Sequence, residues 1–460
     1  MRTSKQHYWI ALPLFIALSA CEIDPKEQDP ASLNAGGATS GGGDSSTGTP
    51  SLPPVTPTAP DCTTTCNFVG LLTDVNKHTP PSRSAPSLHS SYVDQTFSTT
   101  VTRVTAKSQI SGSIRIRQYY SKQNPFNADD SYAMFQTDDG NWWLYNAATW
   151  EPITMVSDWP HVTDGEPEIQ WHPTNPDVFY YLKDGNKFAR FEISSHTTTI
   201  LHDFNDEGYN ETAGRLEANM DKSGRFYAMI GKKSGGTSEA FVYDVINNQL
   251  SKRVNVNAIE DEGIDWISMS QNGNYVVLMG DGHSYVYDFN MNYKGRFPEG
   301  SYGHADLCSL ANGREVMVFD GADYEIASDG DRWINMAYLD TVDGNNTGTI
   351  EPIAKIGWDT TPHISCRNTS FPGWALVSNQ GDGGENFDKE IYWVKLDGEA
   401  DTQHEVRRVA HHYSDAEDGY FAEQHAVTNR DGTKVIFASN YGSGEAFSYY
   451  INLSEFRRPQ

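Results

Sequence analysis

Three histidines stand at matching places along the C-terminal half of the chain. His304 opens HADLCSLANGREVMVF, His363 opens HISCRNTSFPGWALVS, and Gln424 and His425 stand second and third in EQHAVTNRDGTKVIF, each a short way before a tight turn on Gly313, Gly373 or Gly432. Neutral imidazoles in such register could converge on one divalent metal, with Gln424 or Asp306 completing the shell. A polar network of structural histidines is the plainer account. Other residues could move protons or hold a carboxylate. His172, His363, Tyr119 and Tyr120 could serve as base and acid, and Arg215 and Arg367 as cations. Together these are the parts that β-elimination of a uronic-acid polymer requires: a charge to neutralise the carboxylate, a base for the C5 proton and an acid for the leaving oxygen. Each residue also has a bland reading. Arg215 could be an edge ion pair, His172 in WHP a turn residue, and the two tyrosines part of a core strand. Glu217 and Asp265 could instead be the carboxylate pair of a glycosidase.

What must position these side chains is a repeat. Aligned on a tight turn and the apolar strand after it, seven copies are legible, with turn positions at Asp130, Asp177, Gly224, Gly273, Gly313, Gly373 and Gly432. Their spacing of about fifty residues suits propeller blades. The copies start at NPFNADDSYAMF, QWHPTNPDVFYYL, EANMDKSGRFYAMI, DWISMSQNGNYVVLM and the three histidine-bearing segments. Six continue into an aromatic-rich third strand: NWWLYNA, KFARFEI, EAFVYDV, SYVYDF, EIYWVKL and AFSYYINL. Helical periodicity is nearly absent. The expectation is an all-β, seven-bladed β-propeller over residues 99–455, in which TTVTRVT (99–105), a strand without a blade of its own, closes the seventh sheet beyond 446–453. First strands then line a central channel, which places the histidine ring there.

The x-Asp-Gly-x-apolar turn and its three-strand continuation resemble the propeller repeats of the Tol-Pal translocation protein and of oligogalacturonate lyases. The second resemblance implies manganese held by three histidines and a glutamine, here His304, His363, His425 and Gln424. Propeller ulvan lyases are similar in using histidine, tyrosine and arginine, which for this chain implies His172, His363, Tyr120, Arg215 and Arg367 as catalytic candidates. The implied function is a surface-anchored polysaccharide lyase acting on an acidic glycan. A non-enzymatic propeller lipoprotein that binds glycan or protein and a propeller glycosidase are the alternatives.

The N-terminus supplies an address. Arg2 and Lys5 precede a short apolar run, and Leu18, Ser19, Ala20 and Cys21 resemble a bacterial lipobox. This implies a signal peptide over 1–20, lipidation of Cys21 and outer-membrane or surface placement by a lipid anchor alone. Residues 21–61 are rich in Gly, Ser, Thr and Pro and read as a disordered tether. A lead-in over 62–98 begins with Cys62 and Cys66, four apart, which suit a small disulfide loop in an oxidising compartment. Cys308 and Cys366 would lie on neighbouring inner strands, where either a bridge or two buried thiols would fit. The formal charge of −27 argues against a nucleic-acid partner, and a monomer is expected. An anionic substrate would need a local cationic pocket. The acidic runs DFNDEGYNE and DAEDG offer oxygen ligands for calcium but follow no EF-hand spacing, and solvated loops account for them. Neither a nucleophile elbow, a P-loop, a dinucleotide-binding glycine pattern nor an H-E-x-x-H sequence occurs.

Overall fold

The computed structural model describes residues 66–156, 168–215, 217–260, 263–280, 282–300, 303–321, 332–344, 346–358, 360–400, 402–415 and 419–459. Cys21, Cys62 and the leader and tether calls therefore lie outside the described residues. Within them blades two to six are separate antiparallel sheets of four or five strands in sequence order, and the strands of blades one and seven are joined in one nine-stranded sheet, together a seven-bladed β-propeller. Blades two, four, five and six have the plainest form. In blade six, for example, Pro362–Ser365 pairs with Trp374–Asn379, which pairs with Glu390–Lys395 and then Val406–His411.

The repeat explains these strands. Gly224, Gly273, Gly313, Gly373 and Gly432 all have φ between 69° and 89°, where a Cβ is unfavourable, and Asp130 holds the same place in blade one at φ 56°. The six aromatic segments are third strands, each pairing with the apolar strand before it, as Phe447 to Asn452 pairs with Lys434 to Ser439. Blade five, which lacked an aromatic signature, builds its third strand from Arg332–Tyr338. Two inner strands begin earlier than the turn alignment placed them. Blade one starts at Arg115–Arg117 and blade three at Tyr209–Ala213, each followed by irregular backbone that rejoins its sheet only at the bridges Phe126–Ala133 and Met220–Tyr227.

The ring closes as the sequence suggests. Thr100–Arg103 adds to the outer edge of blade seven, Val101 opposite Ile451 and Arg103 opposite Tyr449. Ser91–Val93 adds beyond it, and the start of Ala446–Asn452, on the edge away from Lys434–Ser439, makes a short parallel pairing with Arg115–Arg117 of blade one. Apolar side chains fill the gaps between successive blades, and one cluster joins blades six, seven and one through Leu376, Ile436 and Phe135. Cys66–Phe68 pairs with Arg457–Pro459, and Phe68 stacks on Trp393 at 4.9 Å. Cys308 and Cys366 form a disulfide between blades five and six, with Cα atoms 5.2 Å apart, which resolves the choice between bridge and free thiols.

Candidate active site at the histidine mouth

Inner strands all start at one mouth of the channel and end in the repeat turns at the other. The first mouth gathers polar groups from both regular and irregular inner segments. In blade six His363 sits on a regular strand and is fully buried. In blade seven the strand proper begins only at Val427, and residues 423–426 approach it with His425 at φ 38°, a left-handed backbone that costs a non-glycine residue of order 1 kcal/mol. Three contacts hold that conformation. Gln118 Nε2 donates to the carbonyls of Gln424 (3.0 Å) and His425 (3.1 Å), and Arg117 Nη1 donates to His425 Nδ1 at 2.8 Å.

Those contacts fix the proton positions. A guanidinium can only donate, so His425 Nδ1 accepts and Nε2 carries the hydrogen that it donates to Glu423 Oε2 at 3.1 Å. His363 Nε2 is 3.2 Å from the same carboxylate oxygen but out of line for a hydrogen bond, and the two rings meet edge to face at 4.3 Å. His304 lies flat on His363, centroids 4.3 Å apart and planes 18° from parallel, and donates from Nδ1 to the Pro362 carbonyl at 2.8 Å. Its lone pair is therefore at Nε2. Burial lowers the pKa of all three imidazoles, with neighbouring His363 adding to the effect on His304 and His425; His304 falls to about 4. At neutral pH they are uncharged. Glu423 is the reverse case: burial opposes its charge, but His363 and His425 prevail and hold the carboxyl well below its usual range.

Beneath the imidazoles, Tyr120 packs against His425 at 4.6 Å and His363 at 5.6 Å between ring centroids, and burial raises its phenol well above its ordinary pKa. Lys122, almost fully buried, pairs with Glu217 and lies 4.6 Å over the Trp266 ring. Asp265 is on the adjoining blade. Its residue surface is exposed yet its carboxyl is surrounded by protein on most sides, and burial, followed by the charge of Glu217, raises its pKa to about 6. The rim carries half-exposed aromatics. Tyr420 lies 5.0 Å from His425, and Phe421 lies 3.7 Å beneath the Arg115 guanidinium.

The mouth thus brings together His304, His363, Gln424, His425 and Tyr120 from the sequence reading, but not as one shell. Stacked rings aim their in-plane lone pairs side by side, so His304 does not share the point at which His363 and His425 meet. Glu423 occupies that point, and the ligand atoms of His363, Glu423 and His425 lie within 4.8 Å of one another. Sequence reasoning missed Glu423, Arg117 and Lys122. The signal for Glu423 was present: an acid directly before Gln424 and His425 at the mouth of an inner strand. Gln424 Oε1 is buried without a hydrogen bond. With two imidazoles, a carboxylate and this orphaned amide oxygen, the donor set fits a divalent first-row ion such as manganese. Holding it through His425 Nε2 requires the proton on Nδ1 and the Arg117 guanidinium turned to its second acceptor, the Glu423 carbonyl at 3.3 Å.

The other candidates lie elsewhere. His172 Nδ1 accepts from the backbone amides of Thr174 (3.2 Å) and Asn175 (2.9 Å), which ties it to the blade-two turn at the opposite end. Arg367 is also toward that end, locked to Asp306 by hydrogen bonds of 2.6 and 3.1 Å. Asp306 accepts in addition from the Leu307 and Cys366 amides and has no oxygen left for a metal shell. Tyr119 turns outward to meet Trp142 at 5.4 Å. Arg215, at φ 62°, lies on the irregular inner segment of blade three, two residues before Glu217.

The sequence matches no protein-family model and no curated protein. Among solved structures the chain resembles an oligogalacturonate lyase from Vibrio parahaemolyticus, with a TM-score of 0.56 and 14% identity over 79% of this chain and 96% of that one. It also resembles an oligogalacturonate lyase in complex with manganese, with a TM-score of 0.54 and 14% identity over 79% of this chain and 95% of that one. At such identity the likeness concerns the fold. Fold and site together define a seven-bladed β-propeller with a buried histidine–glutamate cluster at one mouth of its channel.

Proposed function

We propose that the protein is a polysaccharide lyase that cleaves a uronate-containing glycan by β-elimination at the histidine mouth. The observation that carries this reading is the meeting of uncharged imidazoles, a buried tyrosine and the cations Arg117 and Lys122 within one acidic protein, since such cations are what an anionic sugar needs there. The resemblance in fold to two oligogalacturonate lyases, one of them holding manganese, supports the same substrate class. His363, His425, Glu423 and Gln424 would hold a metal, which when bound supplies positive charge to the substrate carboxylate. His304 Nε2, the free lone pair on an uncharged ring, takes the C5 proton. Tyr120, whose phenol stays protonated, delivers one to the leaving oxygen. Tyr420 and Phe421 offer faces on which a sugar ring can stack. Cys21 and the tether would place this site outside the cell on a lipid anchor.

Incubating the protein with polygalacturonate, ulvan, alginate and glycosaminoglycans tests the proposal. The expected result is rising ultraviolet absorbance from an unsaturated uronate on one of them; constant absorbance on all four contradicts it. A second reading, glycoside hydrolysis, is favoured by one feature. Glu217, paired with Lys122, and Asp265, raised to about 6, are two carboxylates whose environments differ, as an acid–base pair requires. New reducing ends without absorbance would select it.

A further inference from the structure

The turn-side mouth carries a cavity of its own, remote from the histidines. Its wall includes Asn124, Gln170, Asp221, Lys222, Arg367 and Arg430, drawn from five different blades. Three cations face one carboxylate, in a chain whose formal charge is −27. Nor does that carboxylate neutralise them. Asp221 is committed to its own turn, accepting from the amides of Ser223 (3.1 Å), Arg225 (2.8 Å) and Phe226 (2.7 Å). Arg367 is matched by Asp306. Nearby Asp130 is matched by Lys434 at 3.1 Å. Arg430 is left over. Its Nη atoms reach only the Thr369 hydroxyl and the Trp171 carbonyl, both at 3.4 Å, its Nε is buried with no partner, and it makes no ion pair among the described residues. A buried donor without an acceptor costs about 1–3 kcal/mol, and a guanidinium is shaped to recover that cost from an oxyanion bound two-pronged. Burial, reinforced by Arg367, lowers the Arg430 pKa to about 10 against the opposing charges of Asp130 and Asp221.

We infer that this cavity is an oxyanion-binding site, in which Arg430 grips a carboxylate, phosphate or sulfate group and Lys222 and the Asn124 amide cover its outer side. The shared chemistry has two sources, a uronate carboxylate or a free inorganic anion. The inference is independent of the lyase reading, so either can fail alone.

Calorimetric titration of the full-length protein at low salt, with inorganic phosphate and separately with galacturonic acid, tests it. We expect at least one probe to bind, with affinity about tenfold weaker in Arg430→Gln and severalfold weaker in Lys222→Gln, a change at an exposed side chain that leaves folding intact. Phosphate binding with that pattern marks a free-anion site, and galacturonate binding with that pattern marks a glycan carboxylate site. Absence of binding by both probes overturns the inference. So does an affinity unchanged in Lys222→Gln and Arg430→Gln, or a galacturonate affinity that falls in Arg117→Gln and not in Arg430→Gln. If Arg430→Gln does not fold, Lys222→Gln alone decides.

Discussion

Glu423 is the residue on which the histidine mouth turns. It is the only acid in contact with both His363 and His425 among the described residues, and its charge makes two buried imidazoles tolerable beside Arg117. The pH behaviour follows. His304 titrates at about 4 and His412 at about 3 in the folded protein, both below the usual histidine value, and His363 and His425 shift the same way. A group with a lowered folded pKa gives stability that is present above its unfolded pKa and lost as pH falls toward the folded value. Asp265 and Glu390 act oppositely, since burial raises them to about 6 and about 7 and makes acidification through those values favourable. Four histidines outweigh them, so unfolding free energy from urea titration should fall between pH 7 and pH 5, and should fall more steeply in Asp265→Asn. A flat profile would contradict the buried neutral ring. The sequence showed the histidines because their places repeat. It could not show Glu423 or Arg117, because neither holds a repeated place and each acquires its role from backbone that leaves the strand.

At the scale of elements, strands and turns were legible because each obeys a local rule: alternating aromatics, a glycine where φ is positive, an apolar run after it. What local rules do not reach is where a strand gives way. The inner segments of blades one, three and seven break their pairing at the mouth, and Tyr120, Lys122, Glu217 and Gln424 all sit in those breaks. Arg367 and His172 were placed by residue type alone, and the strand direction carries both to the other end. Arg408 helps to tie down the lead-in. Arg408 on the outer strand of blade six bonds to Glu390 at 2.6 Å, and to the carbonyls of Asp74 (2.9 Å) and Asn76 (3.0 Å), with both charged side chains fully buried. Arg408→Met strands a buried carboxylate and should cost about 3–5 kcal/mol in chemical denaturation. A cost under about 1 kcal/mol would show that Glu390 is protonated in the fold and needs no partner.

For the whole molecule, closure is the organising fact. An open array of blades would leave two unpaired sheet edges, and Thr100–Arg103 covers one by joining the first residues of the ring to the last blade. Val101 is fully buried there, so Val101→Asp places an unpaired charge in the seam and should unfold the ring cooperatively, with a loss of at least about 3 kcal/mol. A normal melting temperature for that variant would mean that the ring holds without its seam. The disulfide between blades five and six adds a second fastening, and Cys308→Ser with Cys366→Ser should lower stability by about 2–4 kcal/mol while leaving the fold intact by circular dichroism. The seam was readable from sequence because a β-rich segment stood outside every repeat, whereas the pairing of the two cysteines needed the 5.2 Å between their Cα atoms.

The proposal that chemistry belongs to the histidine mouth is tested by parallel initial rates on whichever uronate polymer proves to be a substrate. Tyr120→Phe should lose about 10²–10⁴-fold in rate, the usual worth of a positioned proton donor, whereas His172→Ala, at the turn-side end, should cleave at the wild-type rate. Equal losses in the two variants, or a full rate in Tyr120→Phe, would contradict it.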